Sequence, residues 1–144
     1  MVVRHPLFSM LSLYATLKSY SIAKKIYPKT SSTSGKGNAF RHALWTCLVC
    51  MYCSKVSSSQ KAMDFAKKFT DQHEDLFPNE PLETKMDLHN NLVGLELYSE
   101  MLSEVHRQFF ETNFFVEKLT KLTEKAVKID SQTELRKGTL VYLD

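Results

Sequence analysis

The stretch Asn38-Ala-Phe-Arg-His-Ala-Leu-Trp45, continued by Thr46-Cys-Leu-Val-Cys-Met-Tyr-Cys-Ser54, does most to decide the fold of this chain. It is strongly apolar and contains no glycine or proline, so it predicts a helix that Asn38 can cap and that runs to about Ser54. Arg41 and His42 interrupt its opening turns. A charged and an ionisable side chain in an apolar helix call for an explanation.

Composition and periodicity predict one all-α domain over residues 1–144, a compact bundle of about five helices with a short extended C-terminal segment. The chain is 43% hydrophobic and 24% charged, and only four glycines and four prolines are available for turns. Such a composition is typical of a soluble helical domain. The other predicted helices are Pro6 to about Ile26, a helix capped by Ser57 and Gln60 and reaching about His73, about Glu83 to Glu100, and one long or two shorter helices from Met101 to Ile129.

Cys47, Cys50 and Cys53 form a C-x-x-C-x-x-C run, a spacing that offers thiolates to zinc or to an iron-sulfur cluster. The run lies inside the apolar helix, where helical spacing makes the cysteines small buried residues. We expect packing rather than metal binding here. The odd number of cysteines also argues against a disulfide framework.

The charge pattern identifies no partner by itself. The net charge of +3 is a weak positive field that does not indicate nucleic acid. No apolar run reaches the ~18 residues of a transmembrane helix. Leu7 to Leu17 imitates a signal peptide, but Lys18, Lys24 and Lys25 continue it as an amphipathic helix. If the protein leaves the cell, we therefore expect a dedicated secretion system rather than a cleaved signal.

Polar residues cluster at three places along the predicted helices. On the second helix they share one face with Trp45, on the fourth they follow i, i+3, i+4 spacing, and Gly94 continues that side and permits close helix approach. At the end of the third helix two polar neighbours diverge, so both reach one site only if the helix frays. The clusters are Asn38, Arg41 and His42; His73 and Glu74; and Asp87, Asn90 and Asn91.

If the clusters converge, they form an interhelical site for hydrolytic chemistry. A divalent metal is one possible cofactor, with His42, His73, Glu74 and Asp87 as its ligands, because imidazoles and carboxylates bind such ions and a bound metal activates water. The metal-free alternative uses His or Glu as general base and Arg41 to stabilise an anionic intermediate. We assign catalysis to His42, Glu74, Asp87 and Arg41, and substrate binding to Asn38, Asn90 and Asn91. The structural alternative is a hydrogen-bonded network that fixes helix packing.

In order, the motifs G-K-G-N-A-F-R-H-A-L-W, H-E and M-D-L-H-N-N-L-V-G resemble a small helical domain of uncharacterised function found in bacterial secreted and toxin-like proteins. The resemblance covers about Pro6 to Gly94. It implies a bacterial origin, an effector used against competing cells, and a shared polar set made of the residues named above. It supplies no reaction.

These observations lead to three functional hypotheses. The first is an antibacterial effector or toxin domain with hydrolase chemistry on a cell-envelope lipid or peptidoglycan component, with an immunity protein as its partner. The second is a non-catalytic helical binding or immunity-type module. The third is a nuclease toxin, for which the small net charge offers little support.

Overall fold

The computed structural model describes residues 6–76, 79–106 and 109–143, which form an all-α bundle with one small sheet. Phe77 and Pro78, in the linker between the third and fourth helices, lie outside these residues, as do residues 107 and 108. The elements are α1 (Pro6–Ile26), α2 (Lys36–Ser54), α3 (Ser59–Leu76), α4 (Pro81–Met101), α5 (Thr112–Glu124), β1 (Val127–Lys128) and β2 (Val141–Tyr142).

Helix α2 is the centre of the bundle and contacts each of the other four helices. Fifteen of its 19 residues are buried, because a helix that is apolar on all sides is stable only when surrounded by protein. The helix begins earlier than predicted. Gly35 is its N-cap rather than Asn38, and the Gly35 carbonyl accepts hydrogen bonds from the backbone N–H groups of Asn38 and Ala39.

Gly94 brings α4 against α2, as its position on the polar side predicted. A Cβ atom at Gly94 would lie 2.3 Å from the carbonyl oxygen of Ala43, so only glycine fits at this crossing. The Cys47 thiol donates to the Gly94 carbonyl oxygen at 3.1 Å across the same contact. This close approach brings the polar residues of α2 and α4 within reach of one another.

The remaining helix limits differ from the predicted ones at identifiable points. The Ser58 hydroxyl, not that of Ser57, accepts from the Lys61 backbone N–H, and α3 continues to Leu76. Leu92 of α4 lies on the solvent side of the helix and is 41% exposed. The prediction of a helix beginning at Met101 is wrong, because residues 102–105 form turns and a bend, and α5 begins at Thr112.

Aromatic packing explains why the chain folds back after α4 instead of continuing as a helix. Phe110 lies in the segment that connects α4 to α5, and its side chain is buried. Its ring centroid is 5.5 Å from that of Tyr98 and 5.6 Å from that of Phe115. Burial of a phenylalanine is worth about 1.5–3 kcal/mol, which exceeds any local helical preference of the connecting residues.

The C-terminal segment packs on the helices in an extended form, as predicted. β2 pairs in parallel with β1, with Val141 opposite Val127. On its other side the Asn90 side chain takes the place of a neighbouring strand. Its amide donates to the Val141 carbonyl at 2.9 Å, and its oxygen accepts from the Val141 N–H at 3.0 Å.

Helix α1 places small residues inside and large apolar residues outside. Its buried residues are Ser12, Ala15, Ser19 and Ala23, whereas Met10 and Leu17 are 69% and 62% exposed. The prediction of an amphipathic α1 is therefore correct for the helix, but its fully buried positions carry small residues, and Phe8, Leu11 and Ile22 pack against the core while only partly buried. Among the described residues, no helix is both long enough and apolar enough to cross a bilayer.

Candidate functional site

Three helices bring three ionisable side chains together in the interior. His42 comes from α2, Glu74 from α3 and Asp87 from α4, and all three residues are buried. One ligand atom from each lies within 4.8 Å of the other two. Buried ionisable groups are rare unless they are paired or bind an ion, so this arrangement is a candidate functional site.

Asn91 orients the His42 ring. Its side-chain oxygen lies 3.0 Å from His42 Nδ1, and its amide nitrogen lies 3.5 Å from Glu74 Oε1. An amide oxygen only accepts, so Nδ1 carries the proton and donates to Asn91. The Nε2 atom of His42 is then left with a free lone pair.

That lone pair faces a carboxylate. His42 Nε2 lies 3.3 Å from Asp87 Oδ1, and this oxygen is buried without a hydrogen-bond partner among the described residues. Two acceptors at such a distance repel unless a proton or a cation lies between them. Donor atoms bound about 2.1 Å from a common metal ion are separated by about 3.0–3.4 Å, which matches the spacing observed here.

Burial sets the protonation of this pair. It lowers the pKa of His42 to about 4, helped by the Arg41 charge, so the ring is neutral. Burial also raises the pKa of Asp87 to about 7, and the neighbouring Glu74 carboxylate adds to the rise. Near neutral pH the pair therefore combines a neutral imidazole with a carboxyl group that is ready to exchange a proton.

A cleft of about 540 Å³ opens beside this cluster. Arg41 is partly buried in its wall, where its Nε donates to the Ser31 carbonyl oxygen at 3.2 Å, and burial lowers the pKa of its guanidinium. Trp45 donates from its indole N–H to the Thr16 hydroxyl at 2.8 Å. The cleft is lined by residues of α1 to α4 and of the segments that connect them: Thr16, Ser19, Ser32, Thr33, Ser34, Asn38, Arg41, His42, Trp45, His73, Glu74, Asn79, Glu83, Met86 and Asp87.

His73 and Glu74 both reach the cleft without fraying of α3, contrary to the expectation from their adjacent positions. Glu74 points inward between the helices, while His73 remains partly exposed at the rim. The ring of His73 lies against Trp45 at 5.1 Å, and its Nδ1 is 3.8 Å from Glu74 Oε1. Packing on Trp45 turns the His73 ring back toward its neighbour.

The other predicted site residues divide into two groups. Asn38 and Arg41 line the cleft, whereas both polar atoms of the Asn90 side chain bond to Val141 of the C-terminal strand. Sequence reasoning missed Glu83, which lines the cleft and accepts a hydrogen bond from the Ser34 hydroxyl. Helical spacing could have identified Glu83, since it lies four residues before Asp87 on the same helical face.

The cysteines form no part of the site. All three are buried as free thiols, and Cys53 is directed at the Phe8 carbonyl oxygen. Burial raises the pKa of Cys47, of Cys50 and of Cys53 well above the usual value, so the thiolate form needed by a metal is disfavoured. The expectation that the three cysteines pack as small buried residues is confirmed.

Comparison with known protein families identifies a match that covers most of the chain. A family model described as "Domain of unknown function (DUF6973)" covers residues 1–128, which include all of α1 to α5 and every residue of the cluster. No curated protein and no solved structure matches the chain.

Proposed function

The chain belongs to the DUF6973 family of unknown function, and we propose that it is a hydrolase with its catalytic centre at His42, Glu74 and Asp87. The observation that carries the proposal is the pair of facing acceptors, His42 Nε2 and Asp87 Oδ1, at 3.3 Å in a buried setting. A structural network would place a donor opposite each acceptor. This pair instead leaves room for a catalytic proton or a divalent cation.

The donor set of one imidazole and two carboxylates suits a cation such as Zn²⁺ or Mn²⁺. Such an ion would supply a water molecule of lowered pKa as the nucleophile. Asn91 holds the His42 tautomer that a ligand needs, and Glu74 accepts from Asn91 while retaining acceptor capacity. In the metal-free form of the site, Asp87 would instead be the group placed to take a proton from water, because its pKa of about 7 lies near neutral pH.

The cleft indicates an anionic or polar substrate. Arg41 is its partly buried cation and is placed to bind a phosphate or carboxylate group. His73 at the rim can protonate a leaving group. These features support hydrolysis of a cell-envelope lipid or peptidoglycan component, and the resemblance to toxin-like domains supports delivery by a dedicated secretion system as an antibacterial effector with a cognate immunity protein.

One observation favours a non-catalytic module instead. Asn91 bonds to both His42 and Glu74, so the cluster also ties α2, α3 and α4 together. The two functions differ in the role of Asp87, whose Oδ1 has no hydrogen-bond partner in the part of the chain that the structure describes. Catalysis requires its carboxyl group, whereas helix packing does not.

Cation binding by the full chain is the direct test. Titration with Zn²⁺ or Mn²⁺ should raise the melting temperature of the wild type, and Asp87→Asn should abolish this rise while leaving the metal-free melt equal or higher. Asp75→Asn, an exposed substitution on α3, is the matched control and should behave as wild type. No cation-dependent rise in the wild type would overturn the metal-dependent form of the proposal.

Expression in bacteria tests the biological role. The wild type directed to the periplasm should arrest growth, and His42→Ala and Asp87→Ala should be harmless at equal protein levels. Arrest only from the cytoplasm, with loss of cellular DNA or RNA, would support the nuclease alternative. Equal harmlessness of all three proteins in both compartments would sink the toxin hypothesis.

A further inference from the structure

The outward face of α1 is an exposed apolar surface on a helix whose inner face is packed. Six large side chains, each 45–69% exposed, follow one another along this face: Leu7, Met10, Leu13, Tyr14, Leu17 and Tyr20. Single exposed apolar residues are ordinary, but a continuous row of them marks an interaction site. The inner face needs none of them, because small residues let α1 lie close to α2.

The charged residues of α1 and α2 have one sign. All 16 acidic residues of the chain lie at position 64 or later, whereas nine of the 19 basic residues lie before it. Helices α1 and α2 therefore contain no acidic residue. The remainder of the chain carries more acidic than basic residues, so the modest net charge hides a basic half and an acidic half.

The lysines nearest the apolar row are arranged along its aromatic residues. Lys18 lies over the Tyr14 ring at 5.6 Å and Lys24 over the Tyr20 ring at 5.9 Å. Lys55, from the end of α2, lies over Tyr52 in the same way. Lysine stems that cover aromatic surface while their ammonium groups stay at the edge are typical of helices at a membrane interface.

We propose that α1 docks the protein on an anionic lipid bilayer, lying in the interface plane with its apolar row among the acyl chains and its lysines at the headgroups. A second copy packed parallel on this face would bring Lys18, Lys24 and Lys25 against the same lysines, whereas an anionic surface complements them. The helix lies on the membrane and does not cross it, in accord with its composition. The cleft borders α1 at Thr16 and Ser19, so docking holds the cleft beside the headgroup layer. The proposal stands independently of the hydrolase function.

Flotation of the full chain with lipid vesicles tests the proposal. The wild type should float with vesicles of equal parts phosphatidylglycerol and phosphatidylcholine, and added salt should weaken the binding. The double variant Leu13→Ser/Leu17→Ser should bind about 100-fold more weakly, roughly tenfold for each leucine withdrawn from the acyl region. Both side chains are exposed, so the variant should melt as the wild type does. Leu92→Ser, at an exposed leucine of α4, is the matched control and should bind normally.

Reversing the charge of two lysines tests whether electrostatic attraction contributes to membrane binding. Lys24→Glu/Lys25→Glu should lower binding to the phosphatidylglycerol vesicles at least tenfold, whereas Lys121→Glu on α5 should change it little. Three results would overturn the proposal. They are no flotation of the wild type, equal flotation of the Leu13→Ser/Leu17→Ser variant, or a wild-type dimer that forms without lipid and is disrupted by the Leu13→Ser/Leu17→Ser substitutions. Asp87→Asn should float as the wild type does, which separates docking from any failure of the hydrolase function.

Discussion

Asn90 and Asn91 are consecutive residues of α4, both buried, yet they hold together different regions of the molecule. Asn90 bonds to backbone atoms of Val141 and anchors the C-terminal strand. Asn91 bonds to His42 and Glu74 and orients the polar cluster. One helical step of about 100° separates a structural junction from the candidate site. Similar residues in one motif can therefore carry different roles, which substitutions should separate.

Gly94→Ala should have the largest effect, because it disturbs both regions. The added methyl group would overlap the Ala43 carbonyl, so α4 must move away from α2. We expect a loss of about 4 kcal/mol in the free energy of unfolding, measured by urea denaturation. Ser99→Ala, at an exposed position of the same helix, should change it by less than about 0.5 kcal/mol. A small loss at Gly94 would mean that the helix crossing is not tight.

Asn90→Ala should break the strand junction alone. It leaves the N–H and C=O of buried Val141 without their side-chain partner, at a cost of about 3 kcal/mol in the free energy of unfolding. Cation binding by the cluster should persist in the folded variant. Asn113→Ala, at an exposed asparagine of α5, is the control, and loss of cation affinity in Asn90→Ala at full stability would assign Asn90 to the site.

Asn91→Ala should affect the cluster more than the fold. Loss of its hydrogen bonds should cost about 1.5 kcal/mol. The larger consequence is that His42 loses the acceptor that keeps its proton on Nδ1, so ¹⁵N spectra of the imidazole should show a mixture of tautomers. An unchanged Nδ1–H tautomer in this variant would show that another group sets it.

The smallest expected effect is the pH dependence of the free energy of unfolding, which should appear clearly only in variants of the metal-free protein. The lowered pKa of His42 makes stability fall as pH drops from about 6.5 to about 4. The raised pKa of Asp87 acts oppositely, because its contribution is complete below about 4 and is lost as pH rises to about 7. The wild type should therefore show a nearly flat profile between pH 4 and 6.5.

Single substitutions should uncover slopes of opposite sign. Asp87→Asn should lose stability on acidification over this range, whereas His42→Gln should gain it, as followed by urea denaturation at successive pH values. Slopes of the same sign in both variants would contradict the assigned protonation of the pair.

The sequence predicted the helical class and offered convergence of the polar clusters as a hypothesis, because spacing on a helix determines which residues share a face. Helical spacing assigned Asn90 and Asn91 to the same polar cluster. The two residues differ in role because Asn90 bonds to Val141, which lies about 50 residues away in the chain. It also expected a helix from Met101, where the packing of Phe110 with Tyr98 overrides local preference. Neither the role of Asn90 nor the end of α4 can be predicted from residues within a single helical turn, because both depend on distant contacts.

The hydrogen bonds between Asn90 and Val141 show that the folded unit extends past the end of the family match. The family match stops at residue 128, whereas Asn90 holds Val141, Leu140 is fully buried, and the Leu143 backbone N–H bonds to the Ser34 carbonyl in the wall of the cleft. A truncation at the family boundary would remove the strand and open the core. The last residues thus act as a brace for the loop that borders the candidate site.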